Sequence, residues 1–216
     1  MTIRAGRVEN RALLRRGLDL FLAGVALVLL SPIVLLCALA VRVTSRGPAF
    51  FAQVRVGRSG ENFRMYKFRT MRVNCDEQLH REYVTQMLVE QRASSAAGEV
   101  HKLHDDPRVT ATGRLLRRTS LDELPQLFNV IKGDMAIVGP RPALPYEVEL
   151  FQPQHRLRFA VRPGITGLWQ VSGRGRLTMR EALELDIDYV RRQCLGLDLW
   201  IMLRTVPALF MRGGTM

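Results

Sequence analysis

Residues 20–41 read Leu-Phe-Leu-Ala-Gly-Val-Ala-Leu-Val-Leu-Leu-Ser-Pro-Ile-Val-Leu-Leu-Cys-Ala-Leu-Ala-Val, without a single charge. As a helix this run is long enough for a bilayer, whose hydrocarbon core takes about 20 apolar residues. Ser31-Pro32 stands at its middle. Proline removes one backbone donor and crowds the preceding turn, so a bend is expected there. The Ser31 hydroxyl is placed to bond a carbonyl that the proline leaves without a donor. Arg11, Arg15 and Arg16 precede the run, and Arg42 and Arg46 follow it. Positive flanks favour the cytoplasmic side, here for both ends. Each arm would be roughly 15 Å long, too short to cross alone. A helix that enters, bends and returns meets both constraints, and a kinked spanning helix stays open as well, because membrane helices tolerate proline. A cleaved signal peptide fits poorly: Arg42 follows at once and no small-residue cleavage pattern is present.

Outward from this run the chain is strongly basic. It has 216 residues, 47% hydrophobic and 24% charged, with a formal net charge of +12. Arg4, Arg7, Arg11, Arg15, Arg16, Arg42 and Arg46 face only Glu9 and Asp19 in the first 46 residues. The expected division is a basic flank with a membrane helix over 1–46 and a catalytic domain over 47–216. A balance this basic favours polyanions, whether nucleic acid, anionic headgroups or phosphorylated substrates. No zinc-finger spacing, aromatic RNA-binding signature or basic heptad is present, so no nucleic-acid partner is expected. Cys37, Cys75 and Cys194 form no Cys-x-x-Cys and read as free thiols in a reducing compartment.

The remainder reads as α+β. Residues 49–71 are expected as a β-hairpin, with Phe50–Val56 and Phe63–Met71 flanking the turn Gly57-Arg58-Ser59-Gly60. A helix is expected over 76–92, a loop over 93–98, a short helix within 115–132 ending near Gly133, and a strand over 135–138. Residues 162–176, with four glycines, read as a loop. Thr178 and Glu181 form a capping box for a helix to about Gln193. Residues 195–211, apolar but interrupted by Asp198 and Arg204, suit a helix at the membrane interface or a buried core helix.

The sharpest local feature is Thr119-Ser120-Leu121-Asp122-Glu123-Leu124-Pro125. Asp122 as helix cap would put Pro125 within the first turn, where its missing donor costs nothing. Ser120 with Glu123 offers a competing cap. Acidic residues cap helices routinely. The same setting also keeps a carboxylate ionised and attracts phosphate, and an ionised Asp is a competent nucleophile. Cations surround the pair in sequence: Arg117 upstream, Lys67 and Arg69 in the hairpin, Arg141 between Pro140 and Pro142, then Arg162 and Arg174 beside glycines. Together they suggest a diphosphate and metal site.

In order along the chain stand Ser31-Pro32, Lys67-Phe-Arg-Thr-Met71, Asp106-Pro-Arg-Val-Thr110, Thr119-Ser-Leu-Asp-Glu-Leu-Pro-Gln126, Val138-Gly-Pro-Arg-Pro142 and Arg162-Pro-Gly-Ile-Thr-Gly-Leu-Trp-Gln170. This set resembles the monotopic phosphoglycosyl transferases, over residues 11–216, and most closely the short members that start exopolysaccharide with galactose or glucose phosphate. The resemblance implies a re-entrant Ser-Pro helix on the cytoplasmic face of the bacterial inner membrane. It implies C-terminal amphipathic helices on the membrane and an interfacial active site. It implies Asp122 as nucleophile toward a UDP-sugar, forming a phosphosugar-aspartate and UMP, with polyprenyl (undecaprenyl) phosphate as acceptor. Glu123 matches the partner carboxylate, acting on Mg²⁺ (with Asp122) or as a base. Arg117 and Arg141 match basic residues near the phosphates. The resemblance leaves homodimerisation open and points to downstream glycosyltransferases. A non-catalytic scaffold would instead leave polymer production intact in Asp122→Asn.

Overall fold

The computed structural model describes residues 2–72, 81, 82, 85, 108–173 and 177–210, without the side chains of 2–11, 209 and 210. Helix α1 runs Thr2–Thr44 with Pro32 inside it. Pro32 has no N–H for the carbonyl of Val28, and the Ser31 hydroxyl donates to that carbonyl instead at 2.8 Å. The expected rescue of the lost backbone bond is therefore present, and the helix continues through the proline.

Strands β1 (Phe50–Val56) and β2 (Asn62–Phe68) pair antiparallel from Phe50↔Phe68 to Val56↔Asn62. Their connection contains a short 3-10 turn, with Ser59 and Gly60 at φ 58° and 80°. Then follow α2 (Ala111–Thr119), a 3-10 turn (Leu121–Glu123), α3 (Gln126–Lys132) and β3 (Ala136–Val138). After these come α4 (Pro145–Glu149), a 3-10 segment (Pro153–Ala160), β4 (Gly164–Thr166), α5 (Leu168–Ser172), α6 (Met179–Arg192) and α7 (Leu195–Phe210). The fold is α+β. The hairpin and the Thr178–Glu181 capping box are as expected. The helix expected over 76–92 and the loop at 93–98 lie outside the described residues, except that Arg81, Glu82 and Thr85 are helical.

Two expectations are corrected. Residues 162–176 are not a simple loop, because β4 pairs in parallel with β3 and α5 follows it. Glycine permits this contact: a Cβ on Gly164 would lie 2.0 Å from the Gly139 amide nitrogen. The glycines that looked like loop punctuation instead let two backbones touch. Asp122 also does not cap a helix. Helix α3 begins after Pro125, which stands at its N-cap, and Asp122 sits in the preceding 3-10 turn. The turn is entered through Ser120 in the left-handed region, which ends α2 and redirects the chain.

One stripe of α1 packs on this body. Ala23, Ala26 and Leu27 join Met65, Leu127, Val130 and Met135. Further along, Val34, Cys37, Ala38 and Val41 join Phe68 and Leu116. The spacing is that of a helix face. The remaining faces expose Phe21, Val28, Leu29, Leu35, Leu36, Leu39 and Val43. Its C-terminal part, from Ala12 to Thr44, is long and apolar enough to cross a membrane. Helix α7 is likewise one-sided: Ile201 is buried while Leu199, Trp200, Leu203 and Val206 are exposed. A fully buried core helix is thereby excluded for α7.

Asn129 joins helix to hairpin. Its side-chain NH₂ donates to Arg64 O at 2.7 Å, and its Oδ1 accepts the Tyr66 amide at 3.0 Å. The amide thus pairs the free edge of β2 as a further strand would. Asn129→Ala removes both bonds where Asn129 is fully buried. A loss of about 2–3 kcal/mol is expected, read as a lower thermal midpoint in detergent.

Candidate functional site

The site begins where β2 ends. The Thr110 amide donates to Thr70 O at 3.0 Å, and the Thr110 hydroxyl accepts the Gly113 amide to cap α2. Gly113 presses directly on the strand, since a Cβ there would lie 2.1 Å from Thr70 O. One turn later Arg117 donates its Nε to the Thr70 hydroxyl at 2.9 Å. Helix α2 is thereby fixed against Lys67–Met71, and the acidic turn emerges from its end. In a free helix Gly→Ala adds roughly 1 kcal/mol of stability. Here Gly113→Ala is expected to do the opposite, costing about 2–3 kcal/mol by overpacking and reducing activity as the acidic turn shifts. A raised melting temperature would contradict this packing.

Asp122 is 3% exposed. Leu121 packs with Phe68, Cys37 and Val41, and Leu124 is shared between that cluster and the one around Met65. The acid pair is therefore bracketed by leucines anchored in both cores. Glu123 faces Lys67, whose Nζ lies 3.4 Å from its Oε1. Of the cations expected here, Lys67 meets Glu123 from the strand, while Arg117 of α2 is bonded to the Thr70 hydroxyl at the strand's end.

Arg69 points the other way. It donates to Ser45 O at 2.9 Å and to the Ser45 hydroxyl at 2.7 Å, tying the end of α1 to the hairpin. Arg141 connects to the acid pair through a residue that sequence reading missed. Arg55 is buried, donates to Pro142 O at 2.9 Å, and interacts electrostatically with Arg141, Glu147 and Glu123. Burial, with the nearby Arg141 charge, pushes its guanidinium down to about 9. Glu147 offsets these two cations. Arg141 donates to both its oxygens, at 3.2 and 3.1 Å, and the Leu144 amide donates to Oε2 at 2.7 Å. Burial works most strongly against its ionisation, but Arg141, Arg55, that amide and Arg158 together hold the carboxyl below its ordinary value.

Behind Arg141 lies a second missed pair. Arg158 donates 2.6 Å bonds to Arg141 O and to Asp186 Oδ2. None of Arg55, Glu147, Arg158 and Asp186 carried a local signal: Phe51, on the same side of β1 as Arg55, is exposed. Arg162 lies apart from this group. Its Nε donates to Gly133 O at 2.8 Å, and it lines a cavity against α1 with Arg15, Arg16 and Arg58. Arg174 falls outside the described residues.

Among the described residues no group of three or more His, Cys, Asp or Glu could hold a metal. Two adjacent carboxylates nevertheless fit Mg²⁺, which commonly takes one or two protein carboxylates and completes its shell with water and substrate phosphate. The arrangement thus offers a buried carboxylate, a second acid beside it, and a lysine facing that second acid.

The chain is similar to known proteins along nearly its whole length. A family model described as bacterial sugar transferase matches residues 10–212. The exopolysaccharide production protein ExoY of Sinorhizobium fredii is 40% identical over 205 residues, 93% of this chain and 87% of that protein. The UDP-glucose:undecaprenyl-phosphate glucose-1-phosphate transferase of Caulobacter vibrioides is 40% identical over 220 residues, covering 97% and 75%. The undecaprenyl-phosphate galactose phosphotransferase of Salmonella typhimurium is 41% identical over 203 residues, covering 93% of this chain and 41% of that protein.

Proposed function

Because the chain belongs to the bacterial sugar transferase family and is a phosphoglycosyl transferase, we propose that it moves a sugar-1-phosphate from a UDP-sugar to polyprenyl phosphate through Asp122. The observation that carries this reading is the placing of the acid pair. Leu121 and Leu124 fasten it to the cluster of Cys37 and Val41 of the apolar helix, while Lys67 faces Glu123 and Arg117 ties the preceding helix to Thr70. A carboxylate held there meets a soluble nucleotide sugar and a lipid phosphate at one depth.

In the first step a carboxylate oxygen of Asp122 bonds to the β-phosphorus. The bond from that phosphorus to the bridging oxygen breaks, and UMP leaves. In the second, a phosphate oxygen of the polyprenyl phosphate bonds to the same phosphorus. The aspartyl–phosphorus bond breaks, restoring the carboxylate and giving the polyprenyl-diphosphate sugar. Anion would repel anion in both steps, so the cations must first neutralise the diphosphate. Mg²⁺ held by Asp122 and Glu123 would supply part of that neutralisation. Lys67 orients Glu123, and Arg117 and Arg141 stand to engage phosphate oxygens.

The same reading makes α1 re-entrant and the protein monotopic on the cytoplasmic face of the inner membrane. In support, both halves of α1 pack on one hairpin. Ala23 and Leu27 pack with Met65, and Val34 to Val41 pack with Phe68, about 10 Å away along the strand. Hydrogen bonds tie its two ends to other elements of the same body, Arg15 to Asp198 of α7 and Thr44 to Thr112 of α2. The exposed apolar sides of α1 and α7 then lie in lipid, with Trp200 at headgroup level.

The test is UMP release by detergent-solubilised protein with Mg²⁺, undecaprenyl phosphate and a panel of UDP-sugars, with intact-mass detection of a phosphosugar adduct. Release with one sugar and an adduct of matching mass supports the reading. Folded protein that releases no UMP with any donor overturns it.

A further inference from the structure

A cavity of about 160 Å³ lies between α1, the β1–β2 turn, β3 and α7, away from the acidic turn. Arg15, Arg16, Arg58 and Arg162 line it, against Asp19 and Asp198. Both acids are engaged. Asp198 accepts from Arg15 and from the Tyr189 hydroxyl, and Asp19 accepts the Ile137 amide at 3.0 Å. Asp19 acts on Arg16 and Arg162 through its charge, but neither they nor Arg58 has a carboxylate in contact. Arg16 donates to the Val130 and Ile131 carbonyls at the end of α3, and Arg162 to the Gly133 carbonyl, all neutral acceptors. Arg58 is exposed at the mouth. Among the described residues no carboxylate lies within ion-pair distance of Arg16, Arg58 or Arg162. Burial, then the charges of Arg16 and Arg58, lower the hold of Arg162 on its proton. Four arginines thus face two carboxylates, and the cluster keeps a positive surplus.

The rest of the lining narrows the chemistry. Leu18, Leu22 and Met202 belong to the same cavity. They continue into the exposed apolar sides of α1 and α7, where Leu14, Phe21 and Leu203 stand open. A free anion has no use for such a rim, whereas an amphiphile has a phosphate for the arginines and chains for the leucines. We propose that this cavity binds the headgroup phosphate of an anionic glycerophospholipid, its acyl chains leaving along α1 and α7. The inference rests on the interfacial placing of α1 described above, but not on the reaction at Asp122. Its consequence is a protein seated at a fixed depth and angle by one bound lipid.

The experiment uses the full chain in neutral detergent and reads thermal midpoint and apparent affinity with three probes. These are phosphatidylglycerol micelles, phosphatidylcholine micelles, and inorganic phosphate at matched ionic strength. Phosphatidylglycerol is expected to raise the midpoint by several degrees and phosphatidylcholine to leave it unchanged, as selective binding to the native state requires. Arg58→Gln is expected to weaken the phosphatidylglycerol effect about tenfold, the order expected for losing one charge-assisted contact. Arg162→Gln should do the same and Arg162→Lys should restore part of it. Arg191→Gln, the same charge change on an exposed face of α6, should have no effect. Equal stabilisation by both lipids, or by phosphate alone, overturns the proposal, as does a phosphatidylglycerol effect that Arg58→Gln leaves intact. UMP release is followed in parallel. Lipid selectivity without any UMP release would sink the transferase reading and leave this site standing. UMP release without selectivity would do the reverse.

Discussion

Asp122→Asn is expected to retain the fold and to lose UMP release by at least about 10⁴-fold, the scale seen when an enzyme's covalent nucleophile is removed. The substitution keeps the size and shape of a side chain that is 3% exposed. Leu121 and Leu124, which hold the turn in the two cores, are unaffected. A thermal midpoint within a few degrees of wild type is therefore expected beside the lost activity. The amide nitrogen is not nucleophilic, and the amide oxygen carries no charge for a cationic setting to steer. Glu123→Gln separates the two acids. Its carboxylate lies 3.4 Å from Lys67, so the variant weakens positioning and metal binding while leaving the nucleophile in place. It should therefore still form the phosphosugar adduct, more slowly, and the mass of that adduct should map to Asp122. An adduct of unchanged yield in Asp122→Asn would sink the assignment. An adduct absent only in Glu123→Gln would exchange the two roles.

How much of this was legible beforehand depended on whether the signal was local. Proline and serine act on the backbone one turn away, so the Ser31 rescue of the Val28 carbonyl could be anticipated from two adjacent letters. Strand-like runs on either side of a glycine-containing turn likewise announced β1 and β2. The acid pair was visible as a pair, but its backbone was not. Nothing local announces that Ser120 takes a left-handed conformation and moves the helix start past Pro125. Long-range pairing was the blind spot. Strand β4 is three residues long and exists because Gly139 and Gly164 let β3 approach, a contact 25 positions apart. Arg55, Glu147, Arg158 and Asp186 escaped for the same reason, since each reads as a surface charge until the fold closes over it. Arg162 shows the converse. An arginine beside a glycine suggested a phosphate contact, and the fold turns that arginine toward α1 instead.

The buried pair behind Arg141 leads to the second large effect. Arg158→Met is expected to destabilise the protein by about 3–5 kcal/mol, because it leaves a buried carboxylate without its partner. Arg158 and Asp186 are both nearly inaccessible and meet at 2.6 Å, and the guanidinium also covers the Phe151 ring at 5.2 Å. Burial pushes the Asp186 carboxyl up to about 6 even beside Arg158. Without that cation it must go higher. The sign of the pH dependence follows. Between its unfolded value of 3.8 and about 6, folded wild type holds a proton that the unfolded chain has released. This contribution is complete below the lower value and is lost as pH rises, by about 1.4 kcal/mol per unit, until the carboxyl ionises near the upper one. In Arg158→Met the loss continues beyond pH 6, so the deficit against wild type should be larger at pH 8 than at pH 5.5. Thermal midpoints in detergent at the two values decide it, and equal deficits would contradict the account. Replacing both partners, Arg158→Met with Asp186→Leu, removes the stranded charge and should recover most of the stability. Activity should not recover with it, because Arg158 also holds the Arg141 carbonyl at 2.6 Å. A stable double variant with poor transfer would separate what the pair does for the fold from what it does for the phosphate-binding arginine in front of it.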